Sequence, residues 1–133
     1  MSTLLASHDR HLRALSLGLL NMIQQHSQDL TARQLHILLT ICLTPGPHTV
    51  RGLAEGIGIC KPAVTRALDR LSAGSSPLAI RKVDMTDRRS VLIYPTSKGR
   101  AFLGRLAEGM AEADSPRPQI RPSQTTGEAA RAA

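Results

Sequence analysis

Aromatic residues are scarce in this chain of 133 residues, which has one tyrosine, one phenylalanine and no tryptophan. Modules that bind single-stranded nucleic acids stack the bases on aromatic side chains. Two such rings are too few for a stacking platform, so the composition disfavours a single-stranded nucleic acid as the partner.

Cysteines and long apolar runs are also scarce. Cys42 and Cys60 are too few for a disulfide framework and have no neighbouring cysteine at a metal-binding spacing. No apolar run approaches the ~18–20 residues that cross a bilayer, and residues 4–6 are too short for the apolar part of a signal peptide. We therefore expect a cytoplasmic protein of one domain, with reduced thiols and no membrane association.

Catalytic signatures are missing as well. The sequence has no nucleophile motif, phosphate-binding loop or pair of carboxylates at catalytic spacing. His8 and His11 have a spacing compatible with metal binding, but no motif completes a ligand set. We expect no enzymatic activity, no cofactor and no bound metal.

Positive charge is concentrated in the middle of the chain. The formal net charge is +7, and residues 51–105 contain eleven Lys or Arg against four acidic residues. This focusing predicts a polyanionic partner, and the alternative is a solvated basic surface that serves solubility. Because aromatic rings are so few, double-stranded DNA is the favoured polyanion.

Apolar periodicity predicts two helices in the first third of the chain. Over residues 8–27, apolar side chains recur at three- and four-residue steps, in a stripe wide enough to face two neighbours. Thr31 and Gln34 have the form of a capping box, which predicts the start of the second helix. That helix is expected to end near Leu43, because Pro45 follows shortly after.

The basic stretch has the pattern of a helix-turn-helix followed by a hairpin. Two short helices are predicted to meet at Gly58, and the second, over 61–71, turns its basic residues away from its apolar face. Residues 78–83 and 91–94 are predicted strands, joined by the polar loop 84–90. A hairpin with a basic tip beside such a helix pair is typical of a wing.

Thr96 is predicted to cap a last helix over 97–113, in which apolar residues share one side. Residues 114–133 have no apolar periodicity and cannot bury enough surface to offset the entropy of ordering, so we expect a disordered tail. The predicted fold class is mainly α with a small β-hairpin wing. It is a winged helix-turn-helix that dimerises through its terminal helices.

Four segments stand in a specific order and spacing. They are Leu30 to Gln34, the helix-turn-helix stretch 53–71, Asp87-Arg88-Arg89, and Thr96 to Gly99. Together they resemble the MarR family of bacterial winged-helix regulators over about residues 30–100. The sequence departs from the family pattern at 75–77, an insertion before the first wing strand, and after residue 113, where relatives usually have another helix.

The resemblance implies a homodimeric transcriptional regulator, in many relatives a repressor, whose two recognition helices enter successive major grooves of a pseudo-palindromic site. It also implies release of DNA on oxidation or on binding a small-molecule effector. The corresponding division is a dimerisation helix over 1–29, a DNA-binding domain over 30–96 and a second dimerisation helix over 97–113. The predicted dimer-interface residues are Leu12, Leu15, Leu19, Phe102, Leu103, Leu106 and Met110.

We predict that Thr65 and Arg66 contact base edges, because an arginine fork can bind guanine O6 and N7 together. The alternative for Arg66 is a phosphate contact alone. The residues predicted to contact the DNA backbone are Arg51, Lys61, Arg70 and Arg88, and Pro62 is predicted to lie in the DNA-binding surface. The resemblance places Arg89 in the minor groove, and it implies that Asp87 braces the wing by pairing with Arg89 or with a neighbour.

Cys60 lies beside Lys61 near the start of the predicted recognition helix, where the helix dipole and a cation favour the thiolate. It is a candidate redox switch, and the alternative is that it occupies a position where relatives often have a capping serine. Cys42, on the apolar face of its helix, is predicted to be a core residue.

The runner-up function is a winged-helix module that docks on another protein and lacks specific DNA recognition, since the fold alone does not determine the function. The two hypotheses predict opposite results in a titration against duplex DNA.

Overall fold

The computed structural model describes residues 2–25 and 29–114, which form five α-helices and one two-stranded hairpin. The elements in chain order are α1 (Ser2–Gln25), α2 (Ala32–Leu43), α3 (Val50–Ile57), α4 (Lys61–Leu71), β1 (Ala79–Val83), β2 (Val91–Pro95) and α5 (Ser97–Ala111), followed by a 3₁₀ turn over Glu112–Asp114. The mainly α winged helix-turn-helix predicted from the sequence is confirmed. Within the described residues no helix is long and apolar enough to cross a membrane.

Several element boundaries differ from the predicted ones, and among them β2 ends at Pro95 instead of residue 94 and α5 at Ala111 instead of residue 113. Helix α1 begins at Ser2 instead of residue 8, and its predicted end at 27 lies outside the described residues. Strand β1 starts at Ala79, one residue late, because the Leu78 amide donates to the Leu71 carbonyl at the end of α4, at 2.8 Å, and not to β2. Asp114, predicted to open the tail, belongs to the 3₁₀ turn, and the rest of that tail lies outside the described residues.

Local sequence signals explain how two of the helices begin. The Thr31 hydroxyl accepts the Gln34 amide at 3.2 Å, and the Gln34 side chain accepts the Thr31 amide at 3.0 Å, so the predicted capping box forms at α2. At α3 the Thr49 hydroxyl accepts the Gly52 amide at 3.0 Å. Each cap satisfies backbone donors that the first turn of a helix leaves without partners.

The turn between α3 and α4 depends on one glycine. Gly58 has a φ of 83°, in the left-handed region, and its amide donates to the Ala54 carbonyl at 2.8 Å. A residue with a Cβ is strained in this conformation, so the short turn requires glycine. The break predicted at this position is confirmed, and it sets the angle at which α4 leaves α3.

A single core lies beneath the helix-turn-helix and the hairpin. Its largest fully buried side chains come from three helices and one strand, and they are Ile37, Leu38, Val64, Leu68, Leu71, Ile93 and Phe102. Burying side chains of this size contributes roughly 1.5–3 kcal/mol each. Four residues of α4 are buried in this core, so one face of that helix is fixed and the opposite face is left in solvent.

The hairpin is antiparallel, with Arg81 opposite Ile93 in the register. A third short segment joins it: Thr49 forms a β-bridge with Leu92, and the Ile93 amide donates to the His48 carbonyl at 2.9 Å. The backbone just before α3 is therefore attached to the wing. The strand patterns predicted the hairpin but not this attachment.

Helices α1 and α5 lie antiparallel along much of their length. The side-chain amide of Asn21 donates to the Arg105 carbonyl at 2.6 Å, and at the opposite end the Arg10 guanidinium donates to the Asp114 carboxylate at 2.9 Å. Gly109 in α5 allows the closest approach, because a Cβ there would lie 2.4 Å from the Leu17 carbonyl oxygen. The two helices thus touch backbone to backbone.

The predicted dimer-interface residues of α5 need correction. Phe102, Leu103 and Leu106 are buried in the chain's own core, Phe102 with only 1% of its surface exposed, so they are not available to a second chain. Apolar spacing places these residues on one side of a helix but does not say which neighbour covers that side. Of the predicted α5 residues, Met110 is the one that remains exposed.

Candidate nucleic-acid interface

The exposed face of α4 carries the polar residues predicted to contact DNA. Lys61, Pro62, Thr65, Arg66 and Arg70 are all exposed, and they lie opposite the buried apolar face of the helix. Pro62 lies in the first turn, where its lack of an N–H costs no helical hydrogen bond. The helix therefore presents a mixed surface of hydroxyl, guanidinium and ammonium groups.

A cleft of about 440 Å³ lies between the start of α3, the start of α4 and the wing. Arg51 from α3, Lys61 from α4 and Arg89 from the wing loop all line it. These three cations are far apart in the sequence, and the bridge between Thr49 and β2 is what brings the first of them beside the wing. The cleft is a concentrated positive site at one edge of α4.

The wing loop is held by its two aspartates. The Asp84 carboxylate accepts from the Thr86 hydroxyl at 2.7 Å and from the Thr86 amide at 2.9 Å. These hydrogen bonds lower the pKa of the Asp84 carboxyl below its ordinary value, and the bond from the Thr86 hydroxyl has the larger effect. The loop closes when the Asp84 amide donates to the Ser90 carbonyl at 2.9 Å.

Asp87 contacts its neighbours in the wing through hydrogen bonds. Its carboxylate accepts the Arg89 amide and the Ser90 hydroxyl, each at 3.1 Å. Among the residues the structure describes, it makes no ion pair with Arg88 or Arg89, so the expected pairing is replaced by contacts to backbone and hydroxyl. Both guanidinium groups stay exposed at the tip of the wing.

An ion pair joins α4 to the first wing strand. The Arg81 guanidinium in β1 lies 2.8 Å from the Asp69 carboxylate in α4. On the same strand, Lys82 stands 5.8 Å from the centre of the Tyr94 ring across the hairpin, within the range of a cation–π contact. Neither contact was predicted from the sequence. The spacing of these residues does not indicate which strand position faces α4 or which side chains meet across the hairpin.

The other cations of this surface have no acidic partners. Within residues 2–25 and 29–114, the ion pairs are Arg10 with Asp114, Arg13 with Asp9, and Arg81 with Asp69. The cations of the candidate interface that lack an ion pair are Arg51, Lys61, Arg66, Arg70, Arg88 and Arg89. None of the described acidic residues pairs with these cations, so the surface favours an anionic partner.

The two cysteines lie in different environments. Cys60 is exposed at the N-cap of α4 and makes no side-chain capping hydrogen bond, and its redox role stays a prediction. Cys42 packs against the core as expected, and burial raises the pKa of its thiol, with Arg100 opposing that shift.

His8 and His11 are exposed on α1, and the described residues contain no cluster of three or more potential metal ligands.

Residues 30–74 match the sequence model of the MarR family. The likeness to this family is carried by one segment of the chain. It spans α2, α3 and α4, and thus includes the helix-turn-helix and its exposed basic face but not the wing. The resemblance stated from the sequence motifs is confirmed for this part of the chain.

Solved structures extend the likeness to the wing and the terminal helices. A mutant of MepR from S. aureus bound to an oligodeoxyribonucleotide is 22% identical, with a TM-score of 0.66 over 96% of this chain and 86% of that one. RV1404 from Mycobacterium tuberculosis is 24% identical, with a TM-score of 0.66 over 98% and 88%. The transcriptional regulator BldR from Sulfolobus solfataricus is 25% identical, with a TM-score of 0.54 over 77% and 72%. No curated protein matches the chain.

Proposed function

We propose that the protein is a DNA-binding transcriptional regulator that acts as a homodimer on a pseudo-palindromic duplex site. The observation that carries the proposal is the cleft where Arg51, Lys61 and Arg89, from three separate segments, stand beside the exposed face of α4. The MarR-family segment and the oligonucleotide-bound MepR structure support the same function.

The dimensions of α4 suit a duplex. An α-helix with its side chains is ~10–12 Å across, and the major groove of B-DNA is ~12 Å wide. A helix in that groove places its exposed face against the base edges and its borders near the phosphates. The exposed face of α4 has no aromatic side chain that would stack on an unpaired base.

Each side chain has a role in this proposal. Arg66 and Thr65 read base edges from the exposed face of α4, and Arg89 enters the minor groove from the tip of the wing. The backbone contacts come from Arg51, Lys61, Arg70 and Arg88, and Pro62 lies beside them on the DNA-facing surface. Asp87 braces the wing through the Arg89 amide and the Ser90 hydroxyl.

The homodimer is supported by an apolar stripe on α1. Leu12 and Leu15 are 48% and 46% exposed, and Ile23 and Met110 are also exposed along the pair formed by α1 and α5. Soluble monomers rarely expose a contiguous apolar patch, and a two-fold axis would bury this one against its own copy. Residues 1–29 and 97–113 then act as dimerisation helices, and 30–96 as the DNA-binding domain.

We further propose that the protein is cytoplasmic and represses transcription by occupying its site, as the family resemblance implies, with a small molecule as its effector. The direct test combines selection of bound duplexes from a random library with titrations at several salt concentrations. A dimer that makes ~6–10 phosphate contacts loses ~10³–10⁵ in affinity between 50 and 200 mM salt. A flat salt response, or no enriched duplex, would favour the protein-docking module instead.

A further inference from the structure

A second cationic cleft borders α4 on the side away from the wing. It has a volume of about 470 Å³ and lies between the first turn of α2 and the first half of α4. Arg33 from α2 and Arg66 from α4 both line it, with Ala63 and Ala67 beneath them. No function was predicted for Arg33 from the sequence.

The two clefts lie on opposite borders of the exposed face of α4. Lys61 lines the cleft on the wing side, and Ala63 lines the cleft beside α2. At ~100° per residue, these two positions are about 200° apart around the solvent side of the helix, with Pro62 and Arg66 between them. The face that would meet base edges is therefore flanked by positive charge on both sides.

The charge of Arg33 at the second cleft has no other role in the proposed interface. The Thr31 and Gln34 polar groups are occupied by the capping box. In the part of the chain that the structure describes, no carboxylate lies within 4.0 Å of the Arg33 or Arg66 guanidinium. The Arg33 guanidinium is therefore free to bind an anion, and phosphate oxygens match its donors bidentately.

We propose that Arg33 binds backbone phosphates of the DNA strand that borders the major groove on the side of α2, while Arg51 and Lys61, in the cleft beside the wing, hold the opposite strand. This inference rests on the proposed DNA-binding function. A helix that enters the major groove lies between two sugar-phosphate backbones, so a phosphate site on each border fixes how deeply α4 sits. Arg33 thus sets the docking of Arg66 without reading a base.

The first test compares Arg33→Ala with a matched control. Arg13→Ala removes the same charge from α1, where Arg13 is exposed beside Asp9 and lines neither cleft. Arg33→Ala is expected to weaken binding by about 10-fold or more at low salt, equally on enriched and random duplexes, and to lower the salt slope by ~0.9 for each phosphate that Arg33 neutralises. Arg33→Lys should recover most of the affinity, and Arg13→Ala should bind like the parent protein. Thermal unfolding of each variant shows whether the exposed substitution leaves the fold intact.

A second test identifies the strand. Neutral methylphosphonates replace single phosphates on one strand or the other of the enriched duplex. Neutralising the phosphate that Arg33 binds should weaken the parent protein but leave Arg33→Ala unaffected, while phosphates of the other strand stay important to both.

The results of these tests distinguish a wrong assignment of Arg33 from a wrong DNA-binding function. If Arg33→Ala keeps the parent affinity and salt slope while Lys61→Ala loses affinity, the assignment of Arg33 is wrong and the DNA-binding function stands. If methylphosphonates on both strands weaken Arg33→Ala as much as the parent, the strand assignment is wrong. If the parent protein itself binds no duplex, the function and the inference both fail.

Discussion

Gly18 in α1 and Gly109 in α5 meet where the two helices touch. A Cβ on Gly109 would lie 2.9 Å from the Gly18 Cα and 2.4 Å from the Leu17 carbonyl oxygen. A backbone atom cannot yield as a flexible side chain does, so this contact requires glycine. It fixes the distance between the terminal helices and hence the shape of the surface they share.

Gly109→Ala is expected to lower the free energy of unfolding by about 1–3 kcal/mol, because overpacking outweighs the gain in helix propensity of up to ~1 kcal/mol. The control is Gly104→Ala in the same helix, where an added Cβ meets nothing within 4 Å and stability should rise by up to ~1 kcal/mol. Chemical denaturation of both variants measures the difference. Equal effects at the two positions would contradict the close packing of α1 and α5.

Arg66→Ala and Lys61→Ala should lose DNA affinity in different ways. The first removes a base contact and is expected to cost ~1–3 kcal/mol on the enriched duplex while relaxing the preference at one position of each half-site. The second removes a phosphate contact and should weaken all duplexes about equally. Titrations of each variant against the enriched duplex and against a random duplex measure the two kinds of loss. Uniform losses for both variants would make Arg66 a phosphate ligand.

Leu15→Glu should produce monomers. Leu15 is 46% exposed on α1, so a charge there opposes burial against a second chain without entering the core. The corresponding change at Leu106 would disrupt the core instead, because that side chain is 6% exposed. Light scattering measures the molar mass and so distinguishes monomer from dimer. The control is Leu43→Glu, which changes an exposed leucine at the end of α2. A parent protein that is monomeric at micromolar concentration would rule out the proposed dimer.

Cys60 should react with iodoacetamide well before Cys42. Cys60 is exposed, whereas Cys42 is partly covered and burial raises the pKa of its thiol, which reduces the thiolate that reacts. Mass spectrometry of time points locates each adduct, and Cys60→Ser should leave only the slow reaction. Bound duplex should protect Cys60 if α4 enters the major groove. Equal rates for the two thiols would contradict the environments described for them.

The sequence predicted the helix starts and turns that depend on a few adjacent residues. Thr31 with Gln34 predicted the start of α2, and Gly58 predicted the turn before α4, because capping and left-handed geometry depend on a few adjacent residues. It failed where the answer depends on a distant neighbour. Phe102 was placed on the correct kind of helix but on a surface instead of in the core, since amphipathic spacing does not name the partner of a face.

The same limit applies to the candidate interface. The cations of α4 and the wing could be predicted from the family motifs, yet the approach of Arg33 to Arg66 could not, because it depends on how α2 packs against α4. Likewise, the ion pair between Asp69 and Arg81 links residues twelve apart with no pattern between them. These contacts are products of tertiary packing and have no local signature.

The hydrogen bond from the Ile93 amide to the His48 carbonyl, at 2.9 Å, attaches the wing to the segment that leads into α3. Since Asp69 and Arg81 also tie the wing to α4, the spacing between the cations of this surface is preset before any ligand arrives. These contacts restrict movement of the wing relative to α3 and α4, so part of the adjustment on binding would come from the duplex. We therefore expect operator preference to extend to base pairs that no side chain touches, where easily deformed steps such as TA lower the cost of matching the groove to the protein.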